Sequence, residues 1–192
     1  SKETHRYYDT KEEIKEEEGI RFSANDDSNF CGIINYLRSQ SNKIENKITI
    51  TASSCGDSGE RYQPKTVIIY ENTSNYFLSR DIPNSWLCID FKDRCVIPTD
   101  YEIRSLCYNT NSIHLKSWKI EGSTDNEIWT TLDEQTNCSS LNGNNFVHRF
   151  HINQKQNTNK KYRYIRIQET NKNWRNDSYL RLNAIEIYGT LI

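Results

Sequence analysis

Along most of the chain, hydrophobic and polar residues alternate with a period of two. Lys47-Ile48-Thr49-Ile50-Thr51-Ala52 alternates cleanly, and Lys116-Ser117-Trp118-Lys119-Ile120-Glu121 places Trp118 and Ile120 on one face. Successive strand residues point to opposite faces, so each run predicts a strand with one buried side. The same reasoning predicts strands over 86–91, 101–105, 128–132, 146–152, 162–168 and 179–188. Turn-rich stretches such as Glu121-Gly122-Ser123-Thr124-Asp125 and Ser139-Ser140-Leu141-Asn142-Gly143-Asn144 separate them. One short helix is expected near 32–38. About eight strands with one helix indicate an all-β antiparallel sandwich or jelly roll.

The last strand breaks its own phase. Leu180 and Leu182 share a face, whereas Ile185 and Ile187 fall on the other. Since one inserted residue moves every later side chain across the sheet, a β-bulge is expected near Asn183 and Ala184.

The first 20 residues follow a different rule. Thr10 and Glu13 fit a capping box, the run from Lys11 to Glu18 favours helix, and Gly19 suits a stop. Ile14 is the one apolar residue in that run, so such a helix has little to bury. Residues 1–20 therefore read as a linker or the helical tail of a preceding domain, and 21–192 as one β-sandwich domain.

Composition narrows the function classes. Lys and Arg number 25 against 26 Asp and Glu, so no overall field draws the chain to nucleic acid or anionic lipid. With 12 Tyr, 6 Phe and 4 Trp, the chain carries the aromatic bulk of a folded domain. It has no apolar run near the ~20 residues of a membrane span. It contains no Met and opens at Ser1, which reads as a piece of a longer protein.

The six cysteines, Cys31, Cys55, Cys88, Cys95, Cys107 and Cys138, form no CxxC pair. Cys88 sits within an apolar strand, where a thiol serves as a small core residue. Free thiols and a reducing compartment are expected, although the sequons at Asn72, Asn137 and Asn176 would suit secretion.

Several segments together carry a resemblance. These are Ile48 to Ser54, Asn84-Ser85-Trp86-Leu87-Cys88-Ile89-Asp90-Phe91, Leu115 to Ser123, Asp125 to Trp129, Tyr162-Arg163-Tyr164-Ile165-Arg166-Ile167 and Ala184-Ile185-Glu186-Ile187-Tyr188-Gly189. In order and spacing they resemble the discoidin family, the type C domain of coagulation factors 5 and 8, over roughly residues 22–191. The flavour of Trp86 to Arg94, Tyr101 to Ser105, Leu132-Asp133-Glu134-Gln135 and Lys172-Asn173-Trp174 is similar to the intracellular branch found in multidomain proteins of protists and animals. Secreted members usually join their two ends with a disulfide. Here no Cys precedes residue 31 or follows residue 138.

The resemblance implies a galactose-binding-like sandwich whose loops at one end meet the ligand. The matching loops are 54–62, 78–83, 106–114 and 171–176. Candidate ligand-binding residues are Asp57, Arg61, Arg104, Tyr108, His114 and Asn173: donors, acceptors and one aromatic face suited to carbohydrate, phosphate or a short peptide. Lipid-binding members resemble spikes tipped with large apolar residues, whereas Asp57, Glu60 and Arg61 here make insertion costly. Trp86, Trp118, Trp129 and Trp174 are expected in the core.

No metal or cofactor is expected. His148 and His151 are three apart on a strand and face opposite ways, with no carboxylate or Cys completing a zinc set. Some family members hold calcium, and the matching positions here are Glu71, Asn72 and Glu186, although Tyr70-Glu71 replaces the usual Asp-Gly pair. Neither a nucleophile elbow nor a Gly-rich phosphate loop is present, so no catalysis is expected. The expected function is a non-catalytic ligand- or protein-binding module of a larger cytoplasmic protein. The alternative is a carbohydrate-binding module of a cell-surface or secreted one.

Overall fold

The computed structural model describes residues 18–108, 113–153 and 159–192. The helix expected from Lys11 to Glu18 lies outside these apart from Glu18. Strand β1 (Ile20–Phe22) precedes helix α1 (Ile33–Ser39). The other strands are β2 (Thr49–Ala52), β3 (Phe77–Leu78), β4 (Trp86–Asp90), β5 (Val96–Arg104), β6 (Trp118–Ser123), β7 (Thr130–Gln135), β8 (Val147–His151), β9 (Tyr164–Glu169), β10 (Arg181–Leu182) and β11 (Ala184–Leu191). A five-stranded antiparallel sheet runs β2-β4-β9-β6-β7 and a four-stranded one runs β1-β11-β5-β8, while β3 and β10 pair as a short ribbon.

Period-two patterning produces this sandwich. Leu87 and Ile89 on β4, Ile165 and Ile167 on β9, and Trp118 and Ile120 on β6 are buried in one cluster with Tyr101, Ile103, Ile185 and Ile187 of the other sheet. Each such side chain removed from water stabilises the fold by roughly 1.5–3 kcal/mol. Tyr101 also ties the layers polar to polar: its hydroxyl accepts Trp118 Nε1–H at 3.0 Å and donates to Asp133 at 2.6 Å. Both those partners belong to the five-stranded sheet.

Strand β5 is longer than its expected core of 101–105 because Pro98 interrupts the pattern without ending the strand. Proline has no N–H for a ladder and is tolerated where pairing slips. Pro98 lies opposite Gly189, at the register shift between Tyr188 and Gly189. Gly189 has φ +134°, and a Cβ there would come within 2.0 Å of the Ile97 carbonyl oxygen. The bulge thus requires glycine.

The irregularity expected at Asn183 is present in another form. Leu182 pairs with Phe77, and two residues later Ala184 pairs with Arg104, so the chain changes partners at Asn183. The Asn183 amide nitrogen donates to the carbonyls of Asn72 and Asn75, and its oxygen accepts Arg104 Nε–H. Beyond this point both faces of β11 are buried. Ile185 and Ile187 face the core, while Glu186 binds the start of α1 through the N–H groups of Gly32, Ile34 and Asn35 at 3.1, 2.9 and 3.0 Å.

Of the four tryptophans, only Trp118 is fully buried. Trp86 and Trp129 are half-buried, with the Arg166 guanidinium 5.8 and 3.9 Å from their ring centres. Arg166 itself is paired with Glu121 at 2.6 Å. Covering this second face with an arginine lets these indoles serve packing from outside the core. Trp174 is half-buried, with Lys116 Nζ 4.8 Å from its ring centre.

Candidate functional site

Hydrogen bonds stitch the expected loops into one end of the sandwich. Gly56 N–H donates to the Leu78 carbonyl at 2.8 Å and Arg80 N–H to Ser54 Oγ at 3.0 Å. Ser178 N–H reaches Asp81 Oδ1 at 2.7 Å, and Trp174 N–H reaches the His114 carbonyl at 3.3 Å. A Cβ on Gly56 would lie 2.3 Å from the Ser79 carbonyl oxygen, so glycine sets how closely the first loop approaches the second.

That approach shapes an open cleft of ≈ 730 Å³ lined by residues including Cys55, Asp57, Ser58, Gln63, Lys65 and Arg80. Its wall is ordered from within. Asp57 Oδ1 accepts Gly59 N–H at 2.7 Å, Gln63 Nε2 donates to the Asp57 and Gly59 carbonyls at 3.2 Å, and Cys55 Sγ–H points to Gln63 Oε1 at 3.6 Å. Lys65 is paired with Glu60 at 2.8 Å, which raises its pKa. The Arg80 guanidinium has no acceptor among the described residues and remains an exposed fork of donors. Burial, opposed by the nearby Arg80 charge, pushes the Cys55 thiol up.

The six expected ligand residues divide. Asp57 lines the cleft. Arg61 is exposed next to it, over the Tyr62 ring at 5.3 Å. Tyr108 is exposed, with Tyr76 in electrostatic reach. Tyr62 and Tyr76 meet edge to face at 5.1 Å, so these three tyrosines form an aromatic margin.

The other three turn inward. Arg104 bonds Asn183 and the Tyr70 carbonyl at 2.5 and 2.7 Å and lies over Phe30 at 4.9 Å. Asn173 donates to Asp177 and to the Tyr179 carbonyl, and accepts the N–H groups of Arg175 and Asp177. His114 is fully buried, and desolvation, reinforced by Arg181, lowers its pKa. Lys65, Gln63 and Arg80 also line the cleft and lie outside the six expected residues; Gly56 packs against β3 next to Arg80.

The positions matched to calcium ligation are otherwise engaged. Both Glu186 oxygens accept backbone N–H groups, including that of Ile187 at 2.8 Å. Burial pushes its pKa up to about 7 while those donors pull it down. Arg38 grips Glu71 at 2.7 Å and lowers its pKa. Asn72 Oδ1 accepts the N–H groups of Ser74 and Asn75. No cluster of three or more His, Cys, Asp or Glu suited to a metal occurs among the described residues.

A sandwich with loops gathered at one end defines a class, and comparison with known proteins gives it a family. The chain belongs to the F5/8 type C domain family, which matches residues 49–183. It is 32% identical over 115 residues to the E3 ubiquitin-protein ligase Ufd4 of Drosophila melanogaster, spanning 59% of this chain and 4% of the ligase. The fold is similar to a CBM32 module of Clostridium perfringens in complex with GalNAc-β-1,3-galactose. That likeness has TM-score 0.58 and 9% identity, covering 76% of this chain and 97% of the module. A family 32 module from the NanJ protein of the same organism, in complex with galactose, gives TM-score 0.55 and 14% identity over 75% of this chain and 95% of its own. A fucolectin from striped bass (Morone saxatilis) serum gives 0.54 and 17% over 75% and 46%. Among the described residues, no helix is long and apolar enough to cross a membrane.

Proposed function

We propose that this domain is a non-catalytic recognition module of a larger intracellular protein, and that the Asp57–Arg80 cleft holds a polar segment of a protein partner. The observation that carries the reading is the ordered loop end: a cleft with a fixed wall and one unengaged guanidinium, suited to a carboxylate or a row of carbonyl oxygens. The relative of which this chain spans 4% supports a place within a larger protein. Six free thiols support a reducing compartment, and a count of reduced cysteines in protein isolated from its source tests that part.

The binding test compares the wild-type domain with Arg80→Glu in affinity capture, followed by titration with each captured protein in purified form. A partner that binds wild type saturably and at least tenfold more weakly in the variant supports the reading. Equal binding by both removes the cleft from it. The aromatic margin of Tyr62, Tyr76 and Tyr108 beside Arg61 favours a second reading, a glycan-binding face. Saturable binding on a glycan array that is lost in Tyr108→Ala would establish that reading in place of the first.

A further inference from the structure

Four glutamates are buried among the described residues: Glu102, Glu121, Glu169 and Glu186. Three are satisfied. Glu102 accepts from Arg149, Tyr188 and the Phe30 N–H; Glu121 holds Lys119 and Arg166; Glu186 receives backbone N–H groups. Glu169 is 1% exposed, and neither of its carboxyl oxygens has a hydrogen-bond partner among the described residues.

No described neighbour donates to it. Arg181 lies within electrostatic reach but is committed to Asp177 at 3.1 Å and to the Ile113 carbonyl at 3.4 Å. Asp177 and Asp81 add negative charge nearby. Glu169 contributes to the lining of a second opening of ≈ 300 Å³, with Pro83, Asn84, Thr170, Lys172 and Ser178. That volume is at the lower end of the roughly 300–1,000 Å³ of small-molecule sites.

We propose that this opening receives the cationic head of a lysine or arginine side chain from a partner peptide, with Glu169 as its counter-ion. A buried carboxyl without donors is costly, and a group arriving with N–H donors and positive charge supplies what the protein omits. Once Glu169 is ionised, the carboxylates of Glu169, Asp81 and Asp177 outnumber the cations of Arg181, already paired, and of Lys172 at the exposed rim. Pro83 and the methylene stem of Lys172 suit the aliphatic part of the guest. Burial pushes Glu169 up to about 8, so the empty site is largely neutral near pH 7 and ionises as the cation enters. This opening shares the loop end with the cleft assigned above but not its residues, so the two assignments stand or fall separately.

The test is NMR titration of the ¹⁵N-labelled chain with acetyl-Gly-Lys-Gly-amide and acetyl-Gly-Arg-Gly-amide. Their neutral counterparts, carrying Nε-acetyl-lysine and citrulline, serve as controls. Saturable shifts at Asn84 and Thr170 to Lys172, at least tenfold weaker for the neutral peptides and for Glu169→Gln, and unchanged in Arg80→Glu, support the proposal. Equal response to charged and neutral peptides, unaltered binding in Glu169→Gln, or no saturable response overturns it. Should Glu169→Gln fail to fold, Thr170→Trp at the mouth replaces it: loss of the shifts supports the proposal, and their persistence overturns it.

Discussion

The Glu186 carboxylate accepts the Ile34 N–H at 2.9 Å, fastening the first turn of α1 to the buried face of β11. Glutamine at 186 keeps one oxygen and turns an NH₂ donor toward N–H groups that also donate. We expect Glu186→Gln to cost about 1–3 kcal/mol, the range for unsatisfied buried donors. Urea denaturation measures it. Amide exchange at Gly32, Ile34 and Asn35 should accelerate ahead of exchange in β4 and β9.

Tyr101→Phe removes one oxygen from the interface between the sheets. It leaves Trp118 Nε1–H without its acceptor and Asp133 without its donor from Tyr101. A loss of about 1–3 kcal/mol is expected, with the fold retained. Near-ultraviolet circular dichroism of Trp118 and a denaturation midpoint check it.

Glu169 makes stability depend on pH with a definite sign. Burial raises its pKa from 4.5 to about 8, so between those values the folded chain holds a proton the unfolded chain has released. Stability through this group is therefore full below about 4.5, falls as pH rises toward 8 and is level above it. The drop is on the order of a few kcal/mol. Glu169→Gln should flatten this dependence and exceed wild type in stability at pH 8.5. Thermal unfolding of both proteins from pH 4.5 to 8.5 measures the difference, and parallel curves would contradict it.

Arg104→Ala and Asp57→Ala separate two residues that the sequence placed in one group. Arg104 is bound to Asn183 and Tyr70 where the chain switches strands, and its removal should cost about 1–3 kcal/mol. Asp57 is exposed on the cleft wall, and its removal should leave the denaturation midpoint nearly unchanged while weakening partner binding. Denaturation and titration of the same two variants decide it.

The sandwich was legible because alternation is local. Ile48-Thr49-Ile50 and Trp118-Lys119-Ile120 state their buried face within three residues. The resemblance in Asn84 to Phe91 and Leu115 to Ser123 then gave the architecture. What escaped depends on distant chain. α1 packs on β11, whose faces are both buried, so Glu186 resembled a possible metal ligand when it is a helix anchor. Asn183 redirects the chain through bonds to Asn72, Asn75 and Arg104, and no local pattern distinguishes that from a bulge. At the loop end, sequence named Asp57, Arg61 and Tyr108 among outward residues but could not tell them from His114 and Asn173. Which loop side chains face water is decided by how four separate loops bond to one another.

The most direct check on a recognition role for the loop end is hydrogen exchange of the domain with and without a purified bound partner. We expect protection at 54–63 and 79–81, and little change in the hairpin between β6 and β7 at the opposite pole. Protection centred on that hairpin, with the Cys55 to Gln63 segment exchanging as in the free protein, would contradict the assignment.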